Sequence, residues 1–86
     1  MLDDQRILKL SRKIFTYWDD LARLLSVAEG DISELMESDG HSYHGAFRML
    51  FAWRESSKDL QASLEAMHEA LRQLGHGDVM ELVFRR

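Results

Sequence analysis

Residues 18–32, WDDLARLLSVAEGDI, carry two short helical patterns separated by only two or three residues. The first places apolar side chains at i, i+3, i+4 and i+7, on one helix face, at Trp18, Leu21, Ala22 and Leu25. That pattern breaks at Ser26, and a second one begins near Ile32. Two helices joined so closely must fold sharply against each other, and a Trp at their corner buries a large area. The stretch therefore predicts a compact helical protein organised around Trp18.

The rest of the chain repeats this spacing and supplies end signals for each helix. Helices are predicted over residues 3–15, 18–25, 28–38, 43–56 and 58–74, with a short last helix capped by Asp78. Ser42 is the expected N-cap of the fourth helix, Gly40 suits a positive φ after the third helix, and Gly75 is expected to end the fifth. Arg85 and Arg86 would lie at the favourable C-terminal end of the last helix.

Length and composition limit the class of protein. The 86 residues suffice for a single domain, expected over residues 1–86. The absence of Cys excludes a disulfide scaffold and thiolate metal sites. A net charge of -4 disfavours a general nucleic-acid binder, which would need a basic face. The N-terminal segment is too charged for a signal peptide, and no apolar window approaches the length of a membrane span, so we expect no membrane insertion.

Charge is unevenly distributed along the chain. The outer face of the third helix carries Asp31, Glu34 and Glu37, and the first helix carries Arg6, Lys9 and Lys13 on one face. Each face is either a solvated surface that keeps the domain soluble or a contact surface for a partner. On the fourth helix, Phe51 lies beside the buried stripe and close to Arg48 and Arg54. An exposed Phe next to an Arg is typical of a binding hot spot; alternatively, Phe51 covers the first helix.

Catalytic and metal-binding patterns are weak. The sequence has no nucleophile elbow and no Gly-rich phosphate loop, so we predict neither an enzyme nor a cofactor. His41 and His44, with Asp39 nearby, form a sparse metal-ligand set that lacks a third spaced ligand, and we predict no metal site. His68 is interpreted as a packed or half-exposed helix residue, whose burial would make the fifth helix sensitive to pH.

The order of these stripes and caps resembles that of death domains. The resemblance begins with the Trp, Leu-Ala and Leu pattern of residues 18–25 and continues through the fourth helix at Ala46, Met49, Leu50 and Trp53. It extends through the last two helices at Ala62, Leu64, Met67, Ala70, Leu71, Leu74, Gly75, Asp78 and Val79. It covers about residues 14 to 84 and implies an all-α fold, a six-helix antiparallel bundle of the death-fold type.

Three residues depart from the family pattern around the start of the third helix. Ser26 stands where the family usually has a helix-ending Gly, and Ala28 where it has a capping Ser or Thr. Gly30 falls within the first turn. A missing cap costs about 1 kcal/mol, and a Gly within a helix costs up to about 1 kcal/mol. We therefore expect this helix to begin irregularly or to be mobile there.

The resemblance implies a cytoplasmic signalling module that binds other death domains, homotypically or heterotypically, and the net charge argues against a nucleic-acid partner. One asymmetric contact would pair the acidic third-helix residues of one domain with Arg6, Lys9, Lys13 and Arg48 of a neighbour. A second would join Arg54, Glu55 and Lys58 to His76 and Asp78. Two alternatives are a structural death domain within a larger receptor or scaffold, monomeric or packed within its own chain, and a helix-turn-helix nucleic-acid binder. The acidic third helix argues against the latter.

Overall fold

The structure, a computed structural model, describes residues 3–84 apart from the side chain of Leu60. All of its regular elements are helices: Asp4–Ile14 (α1), Trp18–Leu24 (α2), Glu29–Asp39 (α3), Tyr43–Ser56 (α4), Leu60–Gln73 (α5) and Val79–Phe84 (α6). These elements confirm the expected all-α, six-helix architecture. Arg85 and Arg86, predicted at the end of α6, lie outside the described residues.

The core forms where α1 packs against α4 and α6, and where α2 and α3 pack against α4. Trp18 is fully buried and Trp53 is 8% exposed, so both tryptophans belong to the interior, as the sequence predicts. The other large side chains that are essentially inaccessible to solvent are Ile7, Leu10, Ile14, Leu21, Ile32, Met49, Leu50, Met67 and Leu71. The large side chains of the core therefore all come from the apolar faces of the helices, and the charged faces lie on the surface.

Side-chain caps fix the starts of three helices. Asp3 Oδ1 accepts from the Arg6 amide at 2.9 Å, and Ser42 Oγ accepts from the Gly45 amide at 3.1 Å, which confirms Ser42 as the N-cap of α4. Asp59 Oδ1 accepts from the amides of the second and third residues of α5. The prediction that the fifth helix begins at residue 58 is therefore wrong by two residues, because Asp59 takes the extended N-cap conformation.

The sharp joint between α2 and α3 is built on Ser26, which has a φ of 66°. Its amide donates to the Arg23 carbonyl at 3.1 Å, and the Val27 amide donates to the Ala22 carbonyl at 3.0 Å. Together these bonds form a Schellman motif with Ser26 at the left-handed position that glycine normally fills. The family departure noted in the sequence thus places a β-carbon where the backbone disfavours one.

The start of α3 is more regular than the sequence suggests. Ala28 provides no side-chain cap, yet Glu29 and Gly30 are both helical, so the expected irregular start is wrong. Arg23 Nε donates to Glu29 Oε1 at 2.8 Å, and this ion pair ties the first turn of α3 back to α2. An ion pair between neighbouring helices here accompanies a helix start that lacks a cap.

Replacing Ser26 with Gly should stabilise the protein by roughly 0.5–1 kcal/mol, because Gly adopts a positive φ without steric cost. The matched change is Gly75→Ala at the end of α5, where Gly75 has a φ of 81° in a second Schellman motif. A β-carbon at Gly75 would meet nothing within 4 Å, so its cost of about 1–2 kcal/mol is due to the backbone alone. Urea unfolding measures both; a Ser26→Gly variant no more stable than wild type would contradict the assignment.

Candidate protein-interaction surfaces

The basic side of the protein is the outer face of α1. Lys9, Arg12 and Lys13 are exposed, and within residues 3–84 no carboxylate lies within ion-pair distance of them. Arg6 differs, because its Nη1 lies 3.3 Å from Asp3 Oδ2 and its guanidinium stacks 5.1 Å from the centre of the Phe84 ring. The lysines and Arg12 are therefore available to an external anion, whereas Arg6 is partly held by its own domain.

The acidic side is the outer face of α3, which we call the acidic surface: Asp31, Glu34 and Glu37. All three side chains are exposed, and none makes an ion pair with a described residue. The neighbouring acid Glu29 is neutralised by Arg23, which also lies 3.3 Å from Asp19 and 3.2 Å from Asp20. Asp31, Glu34 and Glu37 are thus the acids on the outer face of α3 that no described cation pairs with.

Arg48, which is predicted to lie in the same contact as the basic residues of α1, pairs instead with the end of α3. Its Nη1 lies 2.8 Å from Asp39 Oδ2, and His44 Nδ1 lies 3.4 Å from the other oxygen of that carboxylate. Partial burial acts to raise the pKa of Asp39, but the hydrogen bonds and charges of Arg48 and His44 outweigh it and hold the pKa below its usual value. Arg48 therefore has an internal partner that the sequence did not reveal.

A parallel arrangement links the loop between α3 and α4 to α2. His41 Nε2 lies 3.0 Å from Asp19 Oδ1. Burial acts to raise the pKa of Asp19, and hydrogen bonds from His41, the backbone and Arg23 together lower it. His41 and His44 thus face different carboxylates, and the described residues include no group of three metal ligands. His68 is exposed, so its interpretation as a packed or half-exposed residue is wrong.

The exposed aromatic group on α4 is Phe51, whose exposed fraction is 40%. Its ring stacks on Phe47 with a centroid separation of 6.1 Å, and the Arg54 guanidinium lies 4.9 Å above it. Arg54 Nη1 also lies 2.8 Å from Asp4 Oδ1, which joins α4 to the start of α1. Phe51 is therefore partly exposed beside Arg54, whose guanidinium also pairs with Asp4. An exposed aromatic ring next to an Arg is the composition expected of a binding hot spot.

The last pair of predicted surfaces lies at the two ends of α5. Glu55 and Lys58 are exposed beside the start of α5. At the other end, His76 is half-buried and stacks on Tyr17, with ring centroids 4.2 Å apart and planes at 4°. Burial raises the pKa of Tyr17, and the nearby charge of Asp78 raises it further. The Tyr17 hydroxyl is buried without a hydrogen-bond partner among the described atoms.

The sequence model of one family, described as Death domain, matches residues 4–86. The chain is a death domain. Searches among curated proteins and among solved structures gave no match. Death domains are protein–protein interaction modules of signalling proteins rather than enzymes. In the part of this death domain that the structure describes, no helix is both long and apolar enough to cross a bilayer.

This death domain also has an open groove between α3 and α4, with a volume of about 930 Å³. The loop between α2 and α3 also contributes to its lining. Its apolar lining comes from Leu25, Val27, Leu35, Phe47, Met49 and Trp53. Phe51 and two acids of the acidic surface, Asp31 and Glu34, also line it, whereas Glu37 does not. The sequence does not reveal this groove, because the groove depends on how far apart α3 and α4 pack.

Proposed function

We propose that this death domain assembles with copies of itself or with other death domains in intracellular signalling of the apoptotic, inflammatory or innate-immune type. The acidic surface of one domain would contact Lys9, Lys13 and Arg6 on the basic side of the next, together with Arg48 of α4. The observation that carries this proposal is that the acidic surface, Lys9 and Lys13 are exposed and have no ion-pair partner among residues 3–84. We place the protein in the cytoplasm, as a single domain of residues 1–86.

The contact would be head-to-tail, because the two surfaces differ and lie on different helices. Such an arrangement extends into open or helical assemblies unless its geometry closes into a ring. Exposed charge pairs contribute about 0.2–1 kcal/mol each, so several are needed and salt should weaken them. A second contact would use Arg54, Glu55 and Lys58 on one domain and His76 and Asp78 on another, where one ring face of His76 is covered by Tyr17.

Charge reversal tests the first contact. Glu34→Lys and Lys9→Glu should each lower the self-association constant by about tenfold, since each turns an attraction into a repulsion. Lys9 is preferred to Arg48 because reversal at Arg48 would also break its internal pair with Asp39. Glu81→Lys, a reversal on the exposed face of α6, is the matched control and should change little.

Light scattering against protein concentration and salt is the measurement. Mixing the Glu34→Lys and Lys9→Glu variants should restore part of the assembly, because the intact surfaces pair with each other and the two reversed surfaces are also complementary in charge. The double variant should regain part of the assembly. Wild-type levels of assembly in both single variants would show that the contact is wrong.

The second candidate function is a structural death domain packed within a larger protein. It is favoured by the internal pairing of Arg48 with Asp39 and of Arg54 with Asp4, which holds two predicted contact residues within the domain. Under this alternative, the wild-type domain stays monomeric at low salt and at every concentration, and it also fails to bind other death domains.

A further inference from the structure

We propose that the groove between α3 and α4 binds a short amphipathic helix from a different protein, with bulky apolar residues on one face and Lys or Arg on the flank next to α3. This is a second site, with a different kind of ligand from another death domain. The proposal rests on three features of the groove: its lining, its length and the charges on its rim.

The lining favours bulky apolar side chains. Partly buried residues form much of the wall, and their exposed parts face the open volume rather than another element: Leu25, Val27, Leu35 and Phe47. Phe51 adds a ring that is 40% exposed at the rim. An apolar concave surface of this kind on a small protein marks a binding site, because covering it removes apolar area from water.

The length and walls favour a helix. The α4 side of the groove runs from residue 47 to 56, about 14 Å at the helical rise, which matches two to three turns of a bound helix. Both walls are α-helices whose backbone groups are bonded within the helix. An extended peptide could therefore not add as a strand, and recognition must come from side chains at i, i+4 and i+7.

The acidic residues at the rim of the groove favour a partner with positive charge. Asp31 and Glu34 line the groove on the α3 side and have no ion-pair partner among the described residues. On the opposite wall, Arg48 is already held by Asp39 at 2.8 Å. The unbalanced charge at the rim is thus negative, and a basic flank on the bound helix complements it.

The described part of this chain offers no helix that fits this description. The apolar stripes of its helices face the core, and the exposed large apolar residues outside the groove occur singly on separate elements: Leu8, Leu24, Tyr43 and Leu82. Any one helix of a second copy would therefore present at most one of these side chains to the groove. For this reason we assign the groove to another protein.

The test is a titration of the intact protein with a synthetic amphipathic peptide that has leucines at i, i+4 and i+7, lysines on one flank and no Trp. Tryptophan emission reports binding, because Trp53 lines the groove and Trp18 is fully buried. We expect saturable binding with a micromolar dissociation constant. The same peptide with glutamates in place of the lysines should bind at least tenfold more weakly.

Matched variants locate the site. Phe51→Ser should weaken peptide binding at least tenfold, whereas Leu8→Ser, at 42% exposure on α1, should not. Glu34→Lys should weaken it about three- to tenfold, and Glu37→Lys, on the same helix but outside the groove, should leave it unchanged. Equal binding by the two peptides, or equal effects of the paired variants, would overturn the proposal.

Failure here is distinguishable from failure of the proposed function. Glu37 belongs to the acidic surface but not to the groove, so its reversal reports on death-domain assembly alone.

If Trp53 emission instead changes with protein concentration in the absence of peptide, and Phe51→Ser abolishes that change, a second copy fills the groove and the assignment to another protein is wrong. Because Asp31 and Glu34 serve both sites, the bound peptide should also inhibit self-association.

Discussion

Gly45→Ala should destabilise the protein by about 1–3 kcal/mol, even though alanine favours helices more than glycine does. Gly45 lies in the first turn of α4 and is buried. A β-carbon there would lie 2.8 Å from the Gly40 carbonyl oxygen, 3.2 Å from Asp39 Cβ and 3.3 Å from Trp18 Nε1. Because two of these neighbours are backbone or short side-chain atoms, the α3–α4 loop would have to move away from α4.

Thermal unfolding measures this effect. At about 4–8 °C per kcal/mol for a domain of this size, the midpoint should fall by roughly 5–20 °C. The control is Gly30→Ala, also in the first turn of a helix, where an added β-carbon would meet nothing within 4 Å. That change should stabilise α3 by up to about 1 kcal/mol. If both substitutions raise the midpoint, then helix propensity alone determines the change in stability, and the close approach of the α3–α4 loop to Gly45 does not contribute to it.

Gly45 also shows where prediction from sequence stops. The helix ends were predictable because capping and positive φ are local: Ser42, Gly40 and Gly75 act as expected. The burial of Trp18 and Trp53 followed from helical spacing. Nothing in the spacing distinguishes Gly45 from an ordinary surface glycine, because its role depends on a loop that approaches from another helix.

The interaction surfaces likewise include features that the sequence predicts and features that it does not. The exposure of the acidic surface and of Lys9 and Lys13 could be predicted, since each lies opposite an apolar stripe. The ion pairs of Arg48 with Asp39 and of Arg54 with Asp4 could not, because they join residues on different helices whose relative positions the sequence does not specify. The same holds for the groove, whose width is set by how α3 docks on α4.

Trp18→Phe should cost about 2–3 kcal/mol, because it removes volume from a fully buried site and also removes a hydrogen bond. Trp18 Nε1 donates to the Gly40 carbonyl at 3.0 Å, which ties α2 to the loop between α3 and α4. That oxygen also accepts from the Ser42 amide at 3.0 Å, so it keeps one partner in the variant. The cost should therefore fall short of that for a fully orphaned carbonyl.

Trp53→Phe is the matched control, with the same loss of volume at a site that is 8% exposed and without a hydrogen bond from the indole to a described residue. It should cost less than Trp18→Phe by about 0.5–1.5 kcal/mol, the usual net contribution of a hydrogen bond. Urea unfolding gives both values. Since Trp18 and Gly45 meet at the same carbonyl, the double variant Trp18→Phe/Gly45→Ala should be less destabilised than the sum of the single changes. Strict additivity would mean that the two side-chain positions act on separate parts of the bundle, and the indole would then not be what holds the loop against α4.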